Sequence, residues 1–380
     1  TEKFPESLGA LLEAHELFES MGLEEKADGI LAKINAAAAA VPGRERNAED
    51  YVHLGRAALV LGADPATVMK QYFDVAKGFE AEGENLPPGL LDAWLESGEL
   101  ALEKDDFGKA AEEFNGAYKF APTHPAVLFG LARAFLPSDR ATGLDYLGKV
   151  LDEVPLHFGA LLLQAEFAIN FEKYAEAEEY LDRIESVNER HPEAAAYRAV
   201  LAELERNDDE AFDRYRGDAL SVWKDNPKID HLIGRVLSRK YRFREGSDSQ
   251  LRALEMDSEF LPAKLQLALD YLRLGRVDDA WPLAREVAAA DEYNVLAYNL
   301  EVLEREIESF ASIKSEDFII RMPPDEAEIY GDRVLENLGE ADRVLGERYG
   351  LELREPTLVE FYPNQQDFAI RTFGSLGGEG

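Results

Sequence analysis

Residues 91–124 read LDAWLESGELALEKDDFGKAAEEFNGAYKFAPTH, and their spacing decides the fold. Trp94, Gly98 and Ala101 fall at intervals of four and three, one face of a helix. Phe107, Ala110, Phe114 and Ala117 mark one face of a second helix, and Pro122 closes the unit. The small residues Gly98 and Ala110 let two antiparallel helices approach closely, while Trp94, Phe107 and Phe114 fill the space around that contact. Six stretches carry this signature at intervals of about 34 residues, a period that predicts a solenoid of helical hairpins. One hairpin cannot bury its apolar face alone, so each stacks on the next.

The register runs through the chain. Ala165, Ala168, Tyr174 and Ala177 repeat it, then Ala199, Ala202, Ala211 and Tyr215, then Gly234, Leu237, Phe243 and Gly246. Ala268, Tyr271, Gly275, Ala280 and Ala284 give another near-ideal copy. The unit from His124 to Val154 is weaker, with Pro137 shortening its turn. Two looser copies lie upstream, one at Gly55, Ala58, Gly62 and Tyr72, the other at Ala14, Leu17, Ala27 and Ile34. Longer linkers are expected around Val41–Asn47 and Glu82–Pro88. The count is eight helical pairs and a ninth first helix near 294–310. These residues resemble the tetratricopeptide repeat over about four-fifths of the chain. The resemblance implies an all-α superhelix of about eight repeats, looser in 1–90 and regular in 91–294, with 294–310 as a bridging helix. It also implies a scaffold that binds a protein or peptide in or along the superhelix.

Hydrophobic residues make up 46% of the chain and charged residues 31%, and no run of 18 uncharged apolar residues marks a membrane span. The Ala36–Ala40 run imitates a signal-peptide core but is short and continues an amphipathic helix. Numbering from Thr1 leaves room for a removed targeting segment, so exported, periplasmic and cytoplasmic locations all stay open. The absence of cysteine excludes disulfides, thiolate metal sites and cysteine nucleophiles. The net charge of −35 repels nucleic acid and anionic membranes, which makes neither an expected partner.

One segment opposes that acidic background. Lys228, Arg235, Arg239, Lys240, Arg242 and Arg244 cluster with His231, opposed only by Asp230. Spacings of three and four put Lys228, His231 and Arg235 on one face of a first helix. Lys228, His231, Arg235, Arg239 and Arg242 are therefore the candidate partner-binding residues, for carboxylates of an acidic peptide in the groove. The alternative is that they neutralise acidic residues of the preceding repeat, such as Glu193 and Glu203. The equivalent positions elsewhere include Leu95 and Glu99, Leu162 and Glu166, Ala196 and Val200. That mixture is no carboxylate clamp, and it suits a mixed helix or the chain's own appended domain.

The repeat breaks after Phe310. Phe318–Met322 reads as a strand, 325–348 as an amphipathic helix stopped by Gly350, and Thr357–Tyr362 as a second strand. Asn364 is a plausible N-cap for a helix over 365–372, and the glycines at 374, 377, 378 and 380 form a tail that should not pack. Residues 311–380 are thus expected to be a partial strand–helix–strand–helix unit, with its helix packed on Ile319 and Val359. Phe318, Leu358–Pro363, Asp367–Phe368 and Arg371–Gly374 resemble the opening of a peptidase-MA-like, gluzincin-type domain, a companion of such arrays in bacterial proteins. That resemblance implies a zinc-binding HExxH helix downstream. The chain has none, and its nearest imitation, His15–Glu19, lies in the first repeat with Leu17 as a packing position. No phosphate-binding glycine loop is present, and the six histidines are scattered. Pairs such as Asp105–Asp106 and Asp278–Asp279 read as helix N-terminal charge. No catalytic, cofactor or metal residue is expected. The alternative function is the regulatory or substrate-presenting part of a zinc metallopeptidase whose HExxH domain lies beyond residue 380.

Overall fold

Prolines and capping side chains start the helices. Pro125, Pro192 and Pro227 open α8 (Pro125–Phe135), α12 (Pro192–Leu201) and α14 (Pro227–Arg239), where a missing N–H costs nothing. Asp106 is the N-cap of α7 (Phe107–Tyr118), its carboxylate accepting from the Lys109 N–H at 3.0 Å. The computed structural model describes residues 7–41, 46–79, 86–350, 352–353 and 356–374. The two linkers expected at 41–47 and 82–88 lie partly outside the described residues, as does the glycine tail beyond 374.

Eight hairpins stand among the described residues. The first pairs α1 (Leu8–Ser20) with α2 (Glu24–Ala40). The second pairs α3 (Ala48–Val60) with α4 (Pro65–Val68), a π turn at Met69–Phe73, and α5 (Asp74–Lys77). α6 (Leu90–Glu103) packs with α7, α8 with α9 (Arg140–Glu153), and α10 (Phe158–Asn170) with α11 (Tyr174–Glu185). α12, prolonged by a π turn at Ala202–Arg206, packs with α13 (Asp209–Ala219). α14 pairs with α15 (Phe243–Met256), and α16 (Leu261–Arg273) with α17 (Val277–Ala290). α18 (Val295–Ile307) is the ninth first helix.

The backbone repeats with the sequence. Seven hairpins turn on a left-handed residue: Gly22, Gly62, Asp105, Glu172, Asn207, Tyr241 and Gly275. After it, the next N–H returns to a carbonyl five residues back, as from Asp106 to Ala101, Lys173 to Ala168, Arg242 to Leu237 and Arg276 to Tyr271. This is the Schellman closure of a helix end. In the sixth hairpin the π turn inserts one residue, and the return spans six, from Asp208 to Ala202. The fourth hairpin, which contains Pro137, is the exception and has no left-handed residue.

Small residues set the spacing. A Cβ at Gly98 would lie 2.6 Å from the Phe114 ring, and one at Gly130 on the next first helix would also collide with it. In the first repeat the packing register differs from expectation by two residues: His15 is buried, whereas Leu17 is 56% exposed. The coil also meets itself. Lys104 pairs with Asp291 at 2.7 Å, the Val295 N–H donates to the Lys104 carbonyl at 3.0 Å, and Asn294 donates to Asp105 at 3.0 Å.

The last first helix leads through Phe310 into a three-stranded sheet, β1 (Ala311–Lys314), β2 (Phe318–Met322) and β3 (Thr357–Glu360), in that order. β1 is antiparallel to β2, and β3 is parallel to it. The crossover is α19 (Pro324–Tyr349), and α20 (Gln365–Phe373) follows β3. Two strands were expected; β1 is too short for its alternation to register in the sequence. α19 covers Phe318, Ile320, Met322 and Val359 through Val334, Leu335 and Leu338. Ile319 was expected on that face but lies on the other, paired in register with Leu358 and turned toward the last hairpin.

Tyr241 has φ +61 and a largely exposed ring. Tyr241→Gly should therefore be more stable than Tyr241→Ala by about 1 kcal/mol, because alanine keeps the left-handed penalty and glycine removes it. Urea unfolding of the two variants is the measurement, and equal midpoints would contradict it.

Candidate peptide-binding groove

First helices pack side by side, α6 on α8, α10 on α12, α12 on α14 and α14 on α16. Second helices pack on their own partner and on the following first helix. The inner, concave wall is therefore built from first helices, and α14 places the basic segment on it. Arg235 grips Glu166 of α10 through both guanidinium nitrogens at 3.2 and 2.8 Å, and Arg239 pairs with the same carboxylate. The Tyr197 hydroxyl also donates to Glu166, which is only 1% exposed. Arg242 pairs with Glu203 and Glu245, and Lys240 with Glu172. His231 shares a hydrogen bond with Gln250 at 2.9 Å, and burial pushes its imidazole down to about 4, so it is neutral at neutral pH. Lys228 is exposed and makes no ion pair among the described residues. The carboxylate that gathers the cations is thus Glu166, two hairpins back, and not Glu193.

One stretch of the wall stays open. A cavity of about 490 Å³ is lined by Arg235, Arg239, Arg273, Leu269, Leu296 and Phe373, with the carboxylates of Asp105 and Asp270 also on its wall. Arg239 is half exposed there, its side chain 49% accessible. Arg273 has no carboxylate partner among the described residues and lies over the Phe243 ring at 5.0 Å and Tyr241 at 5.9 Å. Arg273 sits 34 residues after Arg239, the same repeat position, so the period marks it although it lies outside the basic cluster. Beneath the opening is Asp270, buried and hydrogen-bonded to Gln266 at 2.9 Å. Its second oxygen lies beside the Ser238 hydroxyl, and burial, outweighing the Ser238 and Gln266 contacts, pushes the carboxyl up to about 7.

The far end of the groove is occupied. α20 lies across α16 and α18, with Ile370 on the apolar cluster of those helices. Asn299 of α18 donates to the Gly374 carbonyl at 3.3 Å. Behind α20, a cleft of about 1000 Å³ separates the free face of the sheet from the last hairpin. Its floor holds Glu360, which pairs with Arg371 at 2.7 Å and accepts from the Tyr362 hydroxyl at 3.1 Å. Burial first, then the nearby Glu360 charge, raises the Tyr362 phenol above its ordinary range. Among the described residues no cluster of His, Asp and Glu could hold a metal ion, and no helix is long and apolar enough to cross a membrane.

No family model matches the chain, and no curated protein matches it. Several solved structures are similar. A thermophilic TPR protein from Thermus thermophilus is 21% identical, with 48% of this chain and 99% of that chain covered and a TM-score of 0.38. A tetratricopeptide repeat protein from Parabacteroides merdae is 15% identical, covering 67% and 96%, with a TM-score of 0.45. Human IFIT1, as a dimer with PPP-AAAA, is 16% identical, covering 91% and 84%, with a TM-score of 0.43. Identities and superpositions this loose bear on fold at most. The helix pairing and periodic turns of the chain itself establish an all-α superhelix of tetratricopeptide-type hairpins with a small three-stranded appendage.

Two outcomes follow from the buried charges. Arg235→Glu should lower stability by about 3 kcal/mol, because it sets a second carboxylate against buried Glu166; Arg235→Gln should cost less, and denaturant melts compare them. Asp270 has its folded-state pKa raised from 3.8 to about 7, so the folded chain holds this proton more tightly than the unfolded one. Its contribution to stability is full below pH 4 and is lost as pH rises toward 7. Asp270→Asn, whose amide can donate to Ser238, should remove that slope and stabilise the chain at pH 8 by roughly 2 kcal/mol. Thermal melts from pH 4 to 8 check the sign.

Proposed function

We propose that the chain is a protein-interaction scaffold, with residues 1–310 as the binding array, 311–380 as its appendage, and no catalysis of its own. Its partner is a protein or peptide with acidic residues, bound along the inner wall of the superhelix. The observation that carries this reading is the open cationic stretch at Arg239 and Arg273, set inside a molecule of net charge −35. Such a stretch attracts carboxylates that the outer surface repels. Apolar Leu269 and Leu296 beside it suit an amphipathic helix more than a fully polar peptide.

The second reading, an array that presents substrate to a zinc metallopeptidase domain beyond residue 380, rests on the resemblance of 311–380 alone. The comparisons do not support it. An HExxH helix in the continuing reading frame is what would favour it.

The test is a synthetic amphipathic helix ending in glutamates, and its glutamine counterpart, titrated by fluorescence anisotropy. Glutamate should bind at least about tenfold more tightly, the advantage should shrink as salt rises, and Arg273→Glu should abolish it. Arg273 is chosen because it pairs with no carboxylate among the described residues, so its reversal leaves Glu166 satisfied. Equal binding of both peptides, unaffected by Arg273→Glu, would overturn the proposal.

A further inference from the structure

We infer that the wall formed by α16 and α18 is a helix-binding site, that α20 fills it in the isolated chain, and that a partner's amphipathic helix displaces α20. This deepens the groove reading above and rests on it. The position of α20 is the first argument. A second helix of a ninth hairpin would lie beside α18, as α17 lies beside α16. α20 instead crosses two consecutive first helices, on the surface where a ligand of the groove would sit.

The contacts are of a kind that another helix can make. Ile370 is half-buried against the α16–α18 cluster, and Ala369 beside it is buried. Asn299 takes a main-chain carbonyl, so it reads the backbone and not a particular side chain. The close approach is at Gly374, where a Cβ would meet Leu296 at 2.9 Å and Leu269 at 3.4 Å.

α20 is also weakly held. A helix of nine residues has little stability of its own and depends on what it packs against. Only Ala369 of its residues is buried, while Phe368 is 54% and Phe373 is 49% exposed. Among the described residues its ion pair, Arg371 with Glu360, ties it to β3 and not to the groove. The four residues 361–364 tether it there.

The chemistry of the displacing partner follows from the other end. Thr372 and Phe373 lie at the mouth of the cavity that holds Arg239 and Arg273. Among the described residues α20 brings no carboxylate to them; its acid, Asp367, is in its first turn beside the cap Asn364. A helix with a small and a branched apolar residue in the places of Ala369 and Ile370 and a glycine in the place of Gly374, followed by glutamate or aspartate, repeats the apolar contact of α20 and adds an ion pair to Arg273. A second copy of the chain is a poor rival, because two bodies of charge −35 repel.

The experiment uses the full chain and a labelled peptide of residues 364–374 extended by glutamates. By hydrogen exchange, α20 amides should exchange at least about 100-fold faster than those of α18, and faster still with the peptide bound. Ala369→Glu, which expels α20, should raise peptide affinity about tenfold by removing the tethered competitor. Leu269→Glu should abolish binding. Equal protection of α20 and α18, equal affinity for the wild type and Ala369→Glu, or dimerisation in place of peptide binding would each overturn the inference. Tight, Arg273-dependent binding with α20 still fully protected would overturn it while leaving the groove reading standing.

Discussion

The ring of Phe114 has no solvent exposure and is caught between Gly98 of its own hairpin and Gly130 of the next. The rest of the structure depends on that kind of contact. With no Cβ on either side, one aromatic ring sets the helix approach both across the hairpin and across the stack. Gly116 against Trp94 adds the same constraint a turn further on. Repeated spacing fixes repeated rotation, and rotation accumulates until the turn at Lys104–Asp105 meets the loop before α18. An inner wall of first helices is the geometric result.

The repeat was legible because its information is periodic: a weak preference at one position becomes firm when it returns every 34 residues or so. Hairpin count, helix order and the irregular unit at Pro137 could all be read this way. What could not be read lies outside the period. β1 has four residues, too few for alternation to register. The run Phe318-Ile319-Ile320 is apolar throughout, so the buried face of β2 was ambiguous by one residue, and the reading chose Ile319 where packing chose Ile320. The left-handed turn residues Asp105, Glu172, Asn207 and Tyr241 share no identity with glycine, because the recurring Schellman bonds hold the backbone regardless of side chain.

The candidate site divides along the same line. The cations of α14 were visible as a cluster, but their counter-charge was not. Glu166 is 69 residues from Arg235 in the chain, and only superhelical curvature brings α10 and α14 to one carboxylate. Sequence proximity pointed instead to Glu193. Arg242 with Glu203 was within reach because those groups sit on neighbouring hairpins. The pairing also changes what the cluster means. Arg235 and Arg239 have a structural task, desolvating and satisfying a buried carboxylate, and the freer charge belongs to Arg273 one period later.

On the proposed reading, an acidic solenoid with a partly cationic interior would select ligands by exclusion as much as by attraction. Approach from outside is opposed by a field of −35 charges, so a strongly acidic body gains only once a flexible or helical part of it enters the groove. Inside, α20 already covers part of the apolar half of the wall and brings no carboxylate to Arg273. Tethering gives it a high effective concentration but no additional contact energy. In the proposed binding mode a partner would have to combine both halves, apolar residues on α16 and α18 with a carboxylate on Arg273. Either feature alone would lose to the tethered helix or to the surrounding field, and that double requirement would give the proposed groove specificity although its individual contacts are ordinary.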